Sequence, residues 1–301
     1  MVNLVGRLAR VALGVGALAG TVSCGSSPSS PTPPGPSPTP PASPVTLVGA
    51  GDIADCTVNG SVQTASLLDG IEGTVMALGD LAYPSGRADD FQNCFAPRWG
   101  RHKSRIRPIP GNHEYETPGA AGYYAYFGSA ASAPDGYYSF RHGAWLVVAL
   151  NTNIPVTAGS PQYEWLRREL AANSTACVAA LMHHPLFTSG DHMQHMEVRP
   201  LWELLYQAGA ELVATGDDHG YERFAPQDPG GRADLQRGVR QFVVGTGGAP
   251  LTRFVGVRPN SEVQLSSWGV LRLTLADGSY SWEFVPVAGS SARDSGSEAC
   301  H

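Results

Sequence analysis

Short apolar runs that each stop at a polar, ligand-capable residue recur along this chain. Val45-Thr46-Leu47-Val48-Gly49-Ala50-Gly51 stops at Asp52, and Thr74-Val75-Met76-Ala77-Leu78 stops at Gly79-Asp80. Ile106-Arg107-Pro108-Ile109-Pro110, kept extended by its prolines, leads into Gly111-Asn112-His113-Glu114. Ala144 to Leu150 ends at Asn151, Ala176 to Met182 ends at His183-His184-Pro185, and Glu211 to Thr215 ends at Gly216-Asp217-Asp218-His219. Runs of this length with no polar face read as strands buried on both sides.

Between them the spacing changes to that of helices. Val62, Ala65 and Leu68 share one face of a predicted helix over Ser61 to Leu68. Trp165, Leu166 and Leu170 do so over Pro161 to Ala172, and Leu201, Leu204 and Leu205 over Arg199 to Ala208. A weaker helix is predicted over Asp89 to Phe95. The aromatic stretches Gly122 to Phe127 and Tyr137 to Phe140 are expected to pack a second sheet. Further strands follow at Gln241 to Gly245, Gly269 to Leu275 and Tyr280 to Val285. Strands alternating with helices and then an all-β close predict an α/β (α+β) fold: a β-sandwich of two mixed sheets flanked by helices, formed as one domain over 45–301.

Composition changes the picture mainly at the N-terminus. Arg7 and Arg10 precede the apolar core Val11 to Ala19, too short to span a bilayer, and Thr21-Val22-Ser23-Cys24 follows. Residues 1–24 therefore read as a signal peptide with a lipobox-like end, which would leave Cys24 as a lipid anchor, although Thr21 stands where such sites usually carry an aliphatic residue. Residues 25–44 are a Pro/Ser-rich tether that cannot bury a core. The chain is expected to be exported, as an envelope lipoprotein or a secreted protein. The remaining four cysteines suit that compartment, and we expect the pairs Cys56–Cys94 and Cys177–Cys300 among the three connectivities possible. A net charge of −6 with no Lys/Arg run gives no support for nucleic-acid binding.

The strand ends carry the chemistry. In open α/β sheets ligands collect at the carboxyl ends of strands. Two carboxylates, an amide oxygen, two imidazoles and the nearby phenol of Tyr83 make a mixed oxygen/nitrogen donor set that suits hard metal ions, and it exceeds what one ion needs. Gly79-Asp80-Leu81-Ala82-Tyr83, Gly111-Asn112-His113-Glu114, Met182-His183 and the segment ending in His219 occur in the order seen in the purple acid phosphatase branch of the calcineurin-like metallophosphoesterases. The resemblance covers roughly Val45 to Gly247 and lacks the extra N-terminal β domain of plant forms.

The resemblance implies a binuclear metal centre. Asp52, Asp80, Tyr83 and His219 would hold one ion; Asp80, Asn112, His183 and the residue at 217 would hold the other, with Asp80 shared. Ala54 occupies a place where many metallophosphoesterases have a ligating His, which leaves that role to Tyr83. A phenolate beside carboxylates favours Fe(III), with Fe, Zn or Mn as the divalent partner. His113 and His192 would contact the phosphate, His113 as the acid for the leaving group. The implied activity is hydrolysis of small phosphomonoesters; the alternatives are a phosphodiesterase with the same site, or a surface metal- or phosphate-binding lipoprotein. Asp217 is the departure, because the family has His there. A fourth anionic ligand lowers a formal site charge of roughly plus two to roughly plus one. His184 reads as a packing residue, His195 as a solvated loop residue, and His102, His142 and His301 as surface; Tyr221-Glu222-Arg223 is expected to brace the site through an ion pair.

Overall fold

A computed structural model describes residues 43–175 and 177–301, together with five isolated positions among the first twenty. The leader, Cys24 and most of the tether lie outside the described residues. No described helix is long and apolar enough to cross a membrane.

Two sheets form the body. The first has the order β13-β12-β11-β1-β2-β3, built from Asp294–Ala299, Ser279–Pro286, Gly269–Ala276, Val45–Ala50, Thr74–Leu78 and Ile106–Ile109. The second has the order β10-β8-β9-β7-β6-β5-β4, built from Ser261–Leu265, Tyr221–Phe224, Arg240–Val244, Leu212–Thr215, Val178–Leu181, Trp145–Ala149 and Tyr138–His142. β1, β2 and β3 run parallel, as do β5, β6, β7 and β9; the other strands pair antiparallel. The two mixed sheets with flanking helices are the architecture the sequence predicts.

Side-chain alternation decides what each sheet face buries. Trp145, Val147 and Ala149 of β5 join Leu47, Val75, Phe242 and Leu273 in the core between the sheets. Leu146, Val148 and Leu150 point the other way, onto the helices α5 (Pro161–Ala172) and α6 (Arg199–Gln207) through Leu166, Leu201 and Leu205. Such two-sided burial is why β5 and β6 read as unbroken apolar runs. β12 has one buried face, and its residues alternate accordingly.

Three short elements differ from expectation. The helix predicted at Asp89 is one turn, Ala88–Asp90, continued as a π-helical turn over Phe91–Phe95. Gly122 to Phe127 does not pack the second sheet: it lies in helix α4 (Ala121–Phe127), whose Tyr123 donates to Pro108 O of β3 in the first sheet, whose Tyr126 stacks on Phe91 at 5.0 Å and whose Phe127 meets Phe95. This aromatic cluster fixes it as a helix although aromatic residues favour strands. Tyr138 to Phe140 does enter the second sheet, in β4. Both expected disulfides are present: Cys56–Cys94 ties the loop after β1 to the π turn, and Cys177–Cys300 ties the start of β6 to the chain end.

Candidate metal centre

The carboxyl ends of the parallel strands of both sheets meet at one end of the sandwich. Gly51 N donates to Val244 O at 2.9 Å, Asp217 N to Asp52 Oδ2 at 2.9 Å, and the His183 ring bonds Leu78 O through Nδ1 at 2.8 Å. Each of these contacts crosses from one sheet to the other.

Asp52, Asp80 and Asp217 all turn out of their strands with positive φ, at 58°, 51° and 73°. Left-handed backbone at a non-glycine residue costs energy, and it collects at functional sites. The motif glycines explain themselves by contact. Gly79 has φ of 82°, and a Cβ there would lie 2.5 Å from Cγ of His183. A Cβ on Gly111 would lie 2.9 Å from Cγ of Asp80. Only bare backbone lets these strand ends approach so closely.

The donor atoms sort into two nests. In the first, the Tyr83 hydroxyl lies 3.1 Å from Asp52 Oδ1, 3.2 Å from Asp80 Oδ2 and 3.2 Å from His219 Nε2. In the second, His183 Nε2 lies 3.0 Å from Asn112 Oδ1, 3.4 Å from Asp80 Oδ1 and 3.7 Å from Asp217 Oδ1. Asp80 gives one carboxylate oxygen to each. The outer nitrogens of both histidines are committed to carbonyls, His183 Nδ1 to Leu78 O and His219 Nδ1 to Pro250 O, each at 2.8 Å. An Nδ1–H donor on a backbone carbonyl leaves Nε2 as the lone pair facing inward, the arrangement of a metal-binding imidazole.

Charge makes the same point. Asp52, Asp80 and Asp217 are buried, and among the described residues only histidines pair with them. Burial, then Asp52 and Asp80, push the Tyr83 phenol well above its ordinary range, so the protein alone keeps it protonated. That one proton serves three acceptor atoms. Burial would lower His183, but Asp80, with Asp52 and Asp217, lifts it well above the usual imidazole range. His219 rises to about 9 because Asp52 and the Pro250 carbonyl outweigh its burial. Too many acceptors for too few protons is a donor set that fits cations.

Asp217 faces the site. Its Oδ1 joins the second nest, and its Oδ2 takes a hydrogen bond from His195 Nε2 at 3.1 Å. His195 is thus not a solvated loop residue. Its Nδ1 meets Glu197 at 2.7 Å and its ring packs on His184 at 4.1 Å. Burial opposes a charge on His195, but Asp217 and Glu197 outweigh it and raise its pKa. A carboxylate on each nitrogen favours the charged form of this ring, which would offset the charge Asp217 brings. His184, read from the sequence as a packing residue, also brings a ring nitrogen within 4.8 Å of donor atoms of His183 and Asp217, so it could join them around an ion; burial and the neighbouring His183 and His195 hold its pKa down to about 3.

A cavity of about 420 Å³ opens over these nests, walled by His113, His192, Met193 and His195. His113 bonds Pro84 O through Nδ1 and holds Nε2 3.7 Å from Asp80 Oδ2. His192 bonds the Asp217 carbonyl through Nδ1 at 2.6 Å. Both residues line this cavity.

Two buried carboxylates hold the loops. Glu114 accepts from Leu81 N at 2.9 Å, Ala82 N at 3.2 Å and Gly111 N at 2.8 Å, tying the Asp80 turn to the Asn112 turn. Its position three residues after Gly111, a capping-box spacing, is the signal that could have found it. Asp218 accepts from Thr188 and from His192 N, and nothing in its sequence neighbourhood marks it. The expected brace at Tyr221-Glu222-Arg223 lies elsewhere. Arg223 and Tyr221 bind Asp294 of β13, and Glu222 holds Ser189 N at 2.7 Å. His102 is buried against Ala65 O rather than on the surface.

Comparison with known proteins agrees. The calcineurin-like phosphoesterase family model matches residues 41–221, more than half of the chain. Purple acid phosphatase 15 of Arabidopsis thaliana is 28% identical over 218 residues, covering 60% of this chain and 41% of that protein. Phosphoenolpyruvate phosphatase of Allium cepa is 30% identical over 180 residues, covering 50% and 36%. The chain thus spans well under half the length of these curated relatives. Among solved structures, purple acid phosphatase PPD1 from yellow lupin superposes with a TM-score of 0.70 at 20% identity, covering 86% of this chain and 54% of that one. GAP50, the anchor in the inner membrane complex of Plasmodium, superposes with 0.65 at 12% identity, covering 86% and 90%. These structural likenesses establish the fold. By the family match over more than half of its length, which takes in Asp52, Asp80, Asn112, His183 and His219, the chain belongs to the calcineurin-like phosphoesterase family.

Proposed function

We propose that this protein is a binuclear metal phosphoester hydrolase that acts on small phosphomonoesters. The observation that carries the reading is the pair of donor nests sharing Asp80 under one open cavity. Asp52, Asp80, Tyr83 and His219 would hold one ion, and Asp80, Asn112, His183 and Asp217 the other. Bound there, two metal ions would supply Lewis-acid charge for the phosphate oxygens and lower the pKa of a water. A phenol among carboxylates suits Fe(III) in the first nest, with Fe, Zn or Mn as the divalent ion in the second.

The chain's own residues do the rest. His113 has its Nδ1 committed to Pro84 O, so Nε2 is the atom turned to the leaving alkoxide, and it would serve as the acid only as the imidazolium. His192, pinned by Asp217 O and through its backbone by Asp218, presents Nε2 to a phosphate oxygen. The His195 cation keeps the second nest attractive to an anion although Asp217 stands in place of an imidazole. The two disulfides fit an exported protein, and the leader and tether suit attachment through a lipid on Cys24.

Elemental analysis of the purified protein with a nitrophenyl phosphate assay tests the reading. Two metals per chain and turnover are expected, with little activity on bis(nitrophenyl) phosphate. A visible tyrosinate-to-iron band that disappears in Tyr83→Phe tests the iron assignment. One tightly held metal without turnover would instead favour the binding protein.

A further inference from the structure

The four most exposed large apolar side chains among the described residues are Met193 at 82%, Leu235 at 78%, Val257 at 74% and Val255 at 73%. Apolar residues scattered singly over a surface need no explanation. Three of these four, however, lie on two loops that meet beside the metal centre, residues 188–195 and residues 250–259.

Hydrogen bonds hold the loops in this place. His219 Nδ1 bonds Pro250 O at 2.8 Å and Thr252 N donates to His219 O at 3.1 Å, so the second loop starts at a metal-facing residue. Val255 N donates to Ser189 O and Arg258 N to Ser189 Oγ, each at 2.9 Å, which ties the second loop to the first. Gln264 Nε2 donates to Gly256 O at 2.9 Å, between the two valines. Phe254 turns inward to Gly220, where a Cβ would lie 3.0 Å from its ring. On the first loop, the His192 ring meets the His219 ring at 5.4 Å, and Met193 lines the metal cavity. The backbone that turns Phe254 in therefore turns Val255 and Val257 out, on a braced rim.

Charge sets this rim apart from the rest of the chain. The net charge is −6, yet residues 249–260 hold two arginines and no acid. Arg253 and Arg258 are both exposed. Among the described residues the Arg253 side chain has no hydrogen-bond or ion-pair partner, and Arg258 spends only its Nε, on Thr188 O at 2.8 Å. Of the neighbouring acids, Glu197 pairs with His195, Glu262 pairs with Arg223 and Arg240, and Asp191 lines the metal cavity. Apolar tips beside uncommitted arginines are the chemistry by which a peripheral segment enters a lipid headgroup layer.

We propose that Met193, Val255 and Val257, with Arg253 and Arg258, form a docking surface for a phospholipid bilayer that contains anionic lipids. The arginines meet the headgroups, and the three apolar tips enter the layer beneath them. The lipid expected on Cys24, with the tether at residues 25–44, would hold the domain near such a surface. Because Met193 also lines the metal cavity, docking brings the mouth of that cavity to the headgroups. The surface does not depend on which reaction the metal centre performs.

A tryptophan reporter on the loop tests it. The full, metal-loaded chain carries Cys24→Ser, so that no acyl group contributes, and Val257→Trp. Vesicles of phosphatidylcholine mixed with phosphatidylglycerol, brominated on their acyl chains, should quench the emission that the substitution adds; vesicles of phosphatidylcholine alone should not. Arg253→Gln should raise the lipid concentration for half quenching about fivefold. Val255→Asp should raise it about tenfold or more, with circular dichroism and nitrophenyl phosphate turnover unchanged. Added emission that brominated lipid leaves unquenched, equal half-quenching concentrations in these variants, or equal quenching by phosphatidylcholine alone overturns the proposal. So does a dimer in sedimentation velocity that Val255→Asp dissociates, which would give the patch to a second copy of this chain.

Discussion

Gly79→Ala tests how tightly the two sheets hold the second nest. The added Cβ would lie 2.5 Å from Cγ and 2.8 Å from Cβ of His183, where ordinary contact begins at 3.4 Å. Either the imidazole or the Asp80 turn must therefore retreat by about 1 Å, and backbone strands on both sides resist it. The methyl group also forces a φ of 82° onto a residue with a side chain, which costs about 1–2 kcal/mol. Displacing the ring stretches the 2.8 Å bond from Nδ1 to Leu78 O, a further loss of about 1 kcal/mol. Total destabilisation should be about 2–4 kcal/mol. Loss of a histidine's outer hydrogen bond typically weakens metal binding about 10–100-fold, so the second metal should be depleted before the first. Urea unfolding of the metal-free protein and metal content after dialysis read the two effects separately. Unchanged stability together with two retained metals would refute the claim that this glycine exists for the approach of His183.

Other residues make separate predictions. His195→Gln removes the cation beside Asp217; KM for nitrophenyl phosphate should rise about tenfold, as expected for one partly screened charge, and adding Asp217→His should restore it. An unchanged KM in steady-state assays would show that the pair plays no electrostatic role. Glu114→Ala leaves three backbone N–H groups without their acceptor, so unfolding free energy should fall by about 3–5 kcal/mol in denaturant titrations. Cys177 and Cys300 are 123 residues apart, and replacing both with Ser should cost about 4–5 kcal/mol by loop entropy, against about 4 kcal/mol for Cys56 and Cys94; thermal melts of the two variants check the order.

Much of the site was legible because buried parallel strands cannot carry polar side chains. Asp52, Asp80, Asn112 and His183 each stand out at the end of an apolar run, and the run itself says which end points to a ligand. Tyr83 and His219 were legible through the motifs in which the chain resembles its family. The helix over Pro161–Ala172 was read to the residue, since its apolar face is local; the structure adds the cap, Ser160, whose side chain accepts from Tyr163 N. Helix α4 was not, because its aromatic residues fit either a helix or a sheet until Phe91 and Phe95 are packed against them.

The sequence by itself determined which atoms could serve: three aspartates, an amide, a phenol and the histidines, each at a strand end. Only the tertiary structure decided how they are shared. Asp80 and His183 are more than a hundred residues apart and come from different sheets, and it is the closing of the sandwich that divides the carboxylate of Asp80 between two nests. Packing of the loop after β6 over the end of β7 brought His195 onto Asp217, a partner that nothing near Asp217 in the sequence announces. A linear pattern records what each residue can donate or accept. Which charge sits beside which depends on long-range packing, and it is set only when both sheets are in place.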